Sequence, residues 1–119
     1  MSRISSKQLA QDDRNGTDQQ QLSSRSNERS LIIDKHPSGH LETVAVMAFA
    51  ISQAGAEEFS ADDIRQAYLR AGIRPPKVVA QALRDAKNRM GYVEGGSRRG
   101  LYRLSHFGDT LVRFDLPRP

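Results

Sequence analysis

At 119 residues, with 37% hydrophobic residues, 6% aromatics and no tryptophan, the chain has material for one modest core built from Leu, Ile, Val and Ala, and not for two. The absence of cysteine excludes disulfides, thiolate metal sites and a Cys nucleophile together. A net charge of +4 permits a nucleic-acid partner without demonstrating one.

Met1-Ser2-Arg3-Ile4-Ser5-Ser6-Lys7 has no apolar run behind it, so no secretory signal is expected. The longest apolar-rich stretch, residues 44–51, falls far short of the roughly 20 residues that span a bilayer. The expectation is a soluble cytoplasmic protein without a membrane partner, nucleoid-associated if bacterial.

Residues 1–30 are rich in Ser, Gln, Asn, Asp and Arg, and their scattered apolar residues follow no period. Such a segment buries too little apolar surface to offset its ordering entropy. Residues 1–38 are therefore expected to be a disordered polar tail, and 39–119 a folded domain. Leu31-Ile32-Ile33 interrupts the tail. It is read as a strand or turn docked on the domain, or as a motif for a protein partner. Pro37-Ser38-Gly39 then punctuates the chain.

Over 41–54, Leu41, Val44, Met47, Ala48 and Ile51 recur at helical spacing, and Gly55 is a plausible stop. Ser60, with Asp63 three residues on, resembles a capping box for a second helix. That helix would put Ile64, Ala67, Tyr68 and Ala71 on the core and end at Gly72. A third helix is expected over 76–89, with Pro76 in its first turn. Val78, Val79, Ala82, Leu83 and Ala86 form its apolar set, and Lys77, Gln81, Arg84 and Asn88 line the opposite face.

Gly91 stops this helix. Tyr92-Val93-Glu94 and Leu101-Tyr102-Arg103-Leu104 read as two strands, joined by Gly95-Gly96-Ser97-Arg98-Arg99-Gly100. Arg103 either lies on the exposed face of the hairpin or pairs with Glu94 across it. Ser105 would cap a last helix in which Phe107, Leu111 and Phe114 recur, ended by Pro117. Phe107, Leu111, Val112 and Phe114 either pack into the core, the default for Phe107 and Leu111, or pair two chains as a homodimer. The fold class is thus mainly α with a small β-hairpin, in the order α-α-α-β-β-α after the tail.

Charge is unevenly distributed over this unit. Residues 41–63 hold five acids (Glu42, Glu57, Glu58, Asp62, Asp63) and no Lys or Arg, whereas residues 74–103 hold eight bases against two acids. One side should be acidic and the other basic.

Over 41–116 the chain resembles the winged helix-turn-helix superfamily. The resemblance rests on Ser60-Ala61-Asp62-Asp63-Ile64-Arg65-Gln66-Ala67 and on Val79-Ala80-Gln81-Ala82-Leu83-Arg84-Asp85-Ala86. Met90-Gly91-Tyr92-Val93, the arginine-bearing hairpin and Tyr102-Arg103-Leu104-Ser105-His106-Phe107-Gly108 complete it. The connection Arg70-Ala71-Gly72-Ile73-Arg74-Pro75-Pro76 is longer than the tight turn of the standard motif.

In members that bind DNA, the second helix of the motif enters the major groove and the wing touches the backbone or minor groove. The resemblance implies base or phosphate contacts for Lys77, Gln81, Arg84 and Asn88. Arg can pair bidentately with guanine, and Gln or Asn with adenine. Arg74 and Lys77 are placed to hold phosphates. Adjacent arginines on a Gly-rich loop, Arg98 and Arg99, suit phosphate or minor-groove contact. Arg103 completes the candidate nucleic-acid set. The plain alternatives are a solvated helix face and a solubilising turn.

His36, His40 and His106 lack metal-ligand spacing with acids, and no Gly-rich phosphate loop precedes a helix in a strand context. Asp62, Asp63, Ser60 and Ser105 are explained by capping rather than by chemistry. The expectation is no enzyme, no cofactor and no metal. Two functions stay open: a DNA-binding transcriptional regulator or accessory factor, and a protein-interaction module in a larger complex, using the acidic side or the N-terminal tail. RNA binding by the same basic surface is a third.

Overall fold

The computed structural model describes residues 26–119. Among the described residues there are five α-helices and one antiparallel pair of strands: α1 (Asn27–Lys35), α2 (Gly39–Gln53), α3 (Ala61–Ala71), α4 (Val79–Asp85), β1 (Val93–Gly95), β2 (Tyr102–Leu104) and α5 (His106–Thr110). Two π-helical turns extend the chain beyond helices, Ala86–Met90 after α4 and Leu111–Asp115 after α5. From α2 onward the order is α-α-α-β-β-α, and the domain is mainly helical with a small β-hairpin. No described helix is long and apolar enough to cross a membrane.

The helix α2 is the centre of the molecule. Every residue from Thr43 to Ile51 is buried, so the apolar stripe expected from the spacing is instead a helix covered on all sides. Each fully buried side chain of this kind contributes about 1.5–3 kcal/mol relative to exposure, so Val44, Val46 and Met47 together are a substantial share of the core.

The next helix follows its sequence closely. Ser60 Oγ accepts from the Asp63 N–H at 3.2 Å, and the Asp63 carboxylate accepts from the Ser60 N–H at 2.9 Å. This reciprocal pair satisfies two of the amides that a helix start leaves without partners. Ile64, Ala67, Tyr68 and Ala71 are buried, and Gly72 ends α3 at φ +75°. The following helix starts later than its sequence predicts. Pro76 is not in its first turn: Arg74 and Pro75, each before a proline, are disfavoured in helical conformation, and Val78, the residue before the helix, is still extended at φ −125°, ψ 92°. Val78 is accordingly exposed, while Val79, Ala82, Leu83 and Ala86 face the core.

Residues 26–38 depart from the expected tail. They hold α1, and Leu31 and Ile32 pack against the core from within it rather than as a strand or turn. The remainder of the expected tail, residues 1–25, lies outside the described residues. The reason for α1 is its partner. Ser26 Oγ donates to the Arg70 carbonyl at 2.9 Å, and Arg29 Nη1 donates to the Ala71 carbonyl at 2.9 Å. Glu28, 8% exposed as a residue, pairs with Arg70 Nε at 2.8 Å. The start of α1 therefore satisfies carbonyls at the end of α3 that have no partner within that helix. Ser26 also caps α1 by accepting from the Arg29 N–H.

The hairpin pairs Val93 with Leu104, Glu94 with Arg103 and Gly95 with Tyr102. A single-residue antiparallel bridge adds to it: Phe59 and Tyr102 exchange backbone hydrogen bonds of 2.9 and 2.8 Å. Ser105 Oγ caps α5 by accepting from the Gly108 N–H at 2.9 Å and donates to the Gly91 carbonyl. On the last helical segment Leu111 and Val112 are buried. Phe107 lies outside the core, contrary to the expectation from its spacing. It is 56% exposed, with its ring stacked 5.7 Å from Tyr92, and Val112 takes the core place instead.

Candidate nucleic-acid interface

The hairpin loop 95–100, called the wing below, is shaped by its glycines. Gly96 donates to the Leu101 carbonyl at 2.7 Å, and the Leu101 N–H reaches the Arg98 carbonyl at 3.0 Å. Arg98 to Leu101 is thus a β-turn with Gly100 third, at φ +85°. Glycine reaches that angle without the steric cost other residues carry, and a type II turn demands it there. The turn sets Arg98 and Arg99 side by side at the exposed tip.

The loop between α2 and α3 braces this tip. Glu58 Oε2 accepts from the Ser97 N–H at 2.8 Å, and Oε1 accepts from the Ser97 hydroxyl at 2.8 Å. Arg103 Nη2 lies 3.3 Å from the same carboxylate. The Ser97 hydroxyl and amide, opposed by desolvation and helped by Arg103 and Arg98, hold the Glu58 carboxyl below its ordinary range. Arg103 stands opposite Glu94 in register, yet its ion pair is with Glu58, so of the two alternatives the cross-strand pair with Glu94 does not form. Its charge is offset by that carboxylate, which makes it a weak candidate for phosphate.

Between the wing and the π turn after α4 lies an open cleft of about 370 Å³. Lys87, Arg98 and Arg99 line it with the backbone of Gly95, Gly96 and Gly100. Ser97 also lines it, but its amide and hydroxyl hydrogens already go to Glu58. No carboxylate is among the lining residues, and none of the three cations forms an ion pair with another described residue. At Gly95, the atom nearest to where a Cβ would stand is Lys87 Cε, 3.9 Å away. The lysine stem thus passes close over β1.

The other candidate residues are exposed but differ in setting. Gln81 and Arg84 lie on α4 and are tied to their own helix: Gln81 Nε2 donates to Asp85 at 2.9 Å, and Arg84 Nη2 donates to Gln81 Oε1 at 2.9 Å. Asn88 sits in the π turn, where i→i+5 bonding shifts it off the stripe extrapolated at 3.6 residues per turn. Lys77 and Arg74 belong to the connection 72–78 and not to the helix, so the four-residue face Lys77, Gln81, Arg84, Asn88 does not exist as a single helical stripe. Lys87 joins the site although helical spacing leaves it out. It stands three residues beyond Arg84 and next to the wing in chain order, but the π turn that carries it has no sequence signature.

The acidic side is partly consumed internally. Glu42 is held by Arg118 and by the Ser38 N–H, Asp63 is in the capping box, and Glu58 braces the wing. The most exposed large apolar side chain among the described residues is Phe114, 77% exposed, and Arg113 beside it lies 5.0 Å over the Phe49 ring. Comparisons of the chain with protein-family models, with curated proteins and with solved structures return no match.

Proposed function

We propose that the chain binds double-stranded DNA as a winged-helix protein, serving as a transcriptional regulator or a DNA-associated accessory factor. The carrying observation is the cleft in which Lys87, Arg98 and Arg99 come together without an acid. Three cations on a fixed turn and an adjoining helix end suit the regularly spaced phosphates of a nucleic-acid backbone. Gln81, Arg84 and Asn88 on the neighbouring exposed surface supply donors and acceptors for base edges. Arg74 and Lys77, exposed in the connection before α4, extend the basic surface.

Mobility shift of a random-sequence duplex tests this reading. A shift at low salt that fades as salt rises is expected, as counterion release requires. No shift at the lowest salt overturns it. Parallel lanes with double-stranded RNA decide between the two duplexes.

A protein-interaction role rests on the C-terminal helix, the surface expected for a homodimer, rather than on the acidic side or Leu31-Ile32-Ile33. With Leu31 and Ile32 against the core and four of the five acids engaged, the remaining candidate among the described residues is the exposed Phe114 with Phe107. That surface favours a homodimer through the C-terminal helix, which is compatible with DNA binding to symmetric half-sites. Sedimentation of the wild type and Phe114→Ser tests it: a dimer that disappears on substitution supports it, and a wild-type monomer at high concentration refutes it.

A further inference from the structure

We infer that Glu58 is a positioning residue for the basic wing, one that promotes binding of a polyanion although it carries negative charge itself. The inference rests on the nucleic-acid reading above and adds to it the device that orients the arginines.

Glu58 and Phe59 are consecutive, and each holds a different part of the hairpin. Phe59 pairs through its backbone with Tyr102 in β2. Glu58 holds Ser97, two residues beyond β1, through both carboxylate oxygens. Ser97 immediately precedes the turn Arg98-Arg99-Gly100, so its fixed amide sets where that turn begins. The hairpin is short, with three residues in each strand, and short two-stranded ribbons are marginal without outside support. Arg103, on β2, meets the same carboxylate. One side chain thus ties the loop, through Ser97, and the middle of β2, through Arg103, to the loop between α2 and α3.

Two consequences of removing Glu58 oppose each other, and this makes the inference testable. Electrostatics alone predicts that removing an acid beside Arg98 and Arg103 strengthens attraction for a polyanion. Loss of the brace predicts the reverse, because a mobile tip gives up ordering entropy when it binds. The structure favours the second effect, since the carboxylate's two Ser97 hydrogen bonds are the tip's connection to the body of the domain among the described residues. Glu58→Gln separates the effects. Its amide oxygen accepts from the Ser97 N–H and its amide nitrogen donates to the Ser97 hydroxyl oxygen, so the brace survives without the charge.

The experiment measures duplex DNA affinity by fluorescence anisotropy at one fixed salt for the wild type, Glu58→Ala and Glu58→Gln. It also measures amide hydrogen exchange at residues 97–101 of each free protein. Glu58→Ala is expected to bind about threefold to tenfold more weakly, the range that one or two hydrogen bonds supply. Glu58→Gln is expected to bind as well as the wild type or better. The Ser97 amide should exchange slowly in the wild type and Glu58→Gln, and rapidly in Glu58→Ala. Equal or tighter binding by Glu58→Ala overturns the inference, as does unchanged exchange at Ser97. A wild type that binds no duplex at any salt overturns the nucleic-acid reading, and with it the binding role of Glu58. The exchange data then still report, on their own, whether Glu58 fixes the tip.

Discussion

Gly95 and Gly108 have opposite reasons for lacking a side chain. Gly95 lies in β1 with ordinary backbone angles and open space around it, apart from Lys87 Cε. A larger residue there would occupy the basic cleft without straining the fold. Gly95→Leu should therefore keep its melting temperature within a few degrees of the wild type's while giving up most of its affinity for duplex DNA, measured by calorimetric melting and anisotropy. Unimpaired binding by a folded Gly95→Leu would remove the cleft from the interface. Gly108, in contrast, lies against the Tyr92 backbone, and a Cβ would overlap the Tyr92 carbonyl. The Tyr92 backbone and the Leu104 side chain leave little room to adjust. Gly108→Ala should cost at least about 1–3 kcal/mol, the usual range for overpacking. For a domain of this size that lowers the melting temperature by roughly 4–8 °C per kcal/mol.

The elements differ in how far their own residues specify them. The start of α1 is held by side chains from Ser26, Glu28 and Arg29 to the end of α3, 42 to 44 residues away in sequence. Removing residues 1–36 should strip cover from α2 and reopen the carbonyls of Arg70 and Ala71. The expected destabilisation is on the order of 2–4 kcal/mol, from two partly buried apolar side chains and the hydrogen bonds removed with them. Urea unfolding of residues 37–119 against the full chain measures it, and an unchanged midpoint would show α1 to be unimportant to the core. The same interactions explain why α1 is illegible in the sequence. Leu31, Ile32 and Ile33 are consecutive rather than spaced at helical intervals, and what stabilises the helix is distant in the chain. By comparison, α3 is legible to the residue, because Ser60, Asp63 and Gly72 carry their instructions locally. The wing turn is legible for the same reason, through Gly96 and Gly100. Its brace is not, since Glu58 and Ser97 are 39 positions apart and no pattern joins them. The start of α4 misleads because Pro76 suits a first turn, while Val78 remains extended after it.

On the scale of the whole molecule, α2 is a buried axis around which the other elements pack, and the charge asymmetry of the sequence becomes a division of labour. The early acids are engaged largely in holding structure: Glu42 with Arg118 and Ser38, Asp63 at a helix start, Glu58 on the wing. The later bases include three that share a cleft free of acids. Cations without ion-pair partners among the described residues are the ones available to an external polyanion, and this is the basis of the DNA reading. Its central claim is that Arg98 and Arg99 each meet a phosphate. The most direct measurement is the slope of log affinity against log salt for a short DNA duplex, for the wild type and for the double substitution Arg98→Ala with Arg99→Ala. Removing one arginine–phosphate pair lowers the slope's magnitude by about 0.9, so the double variant should bind more weakly and with a slope smaller by about 1.8. Equal slopes for the two proteins, or a wild type whose binding does not respond to salt, would contradict the account.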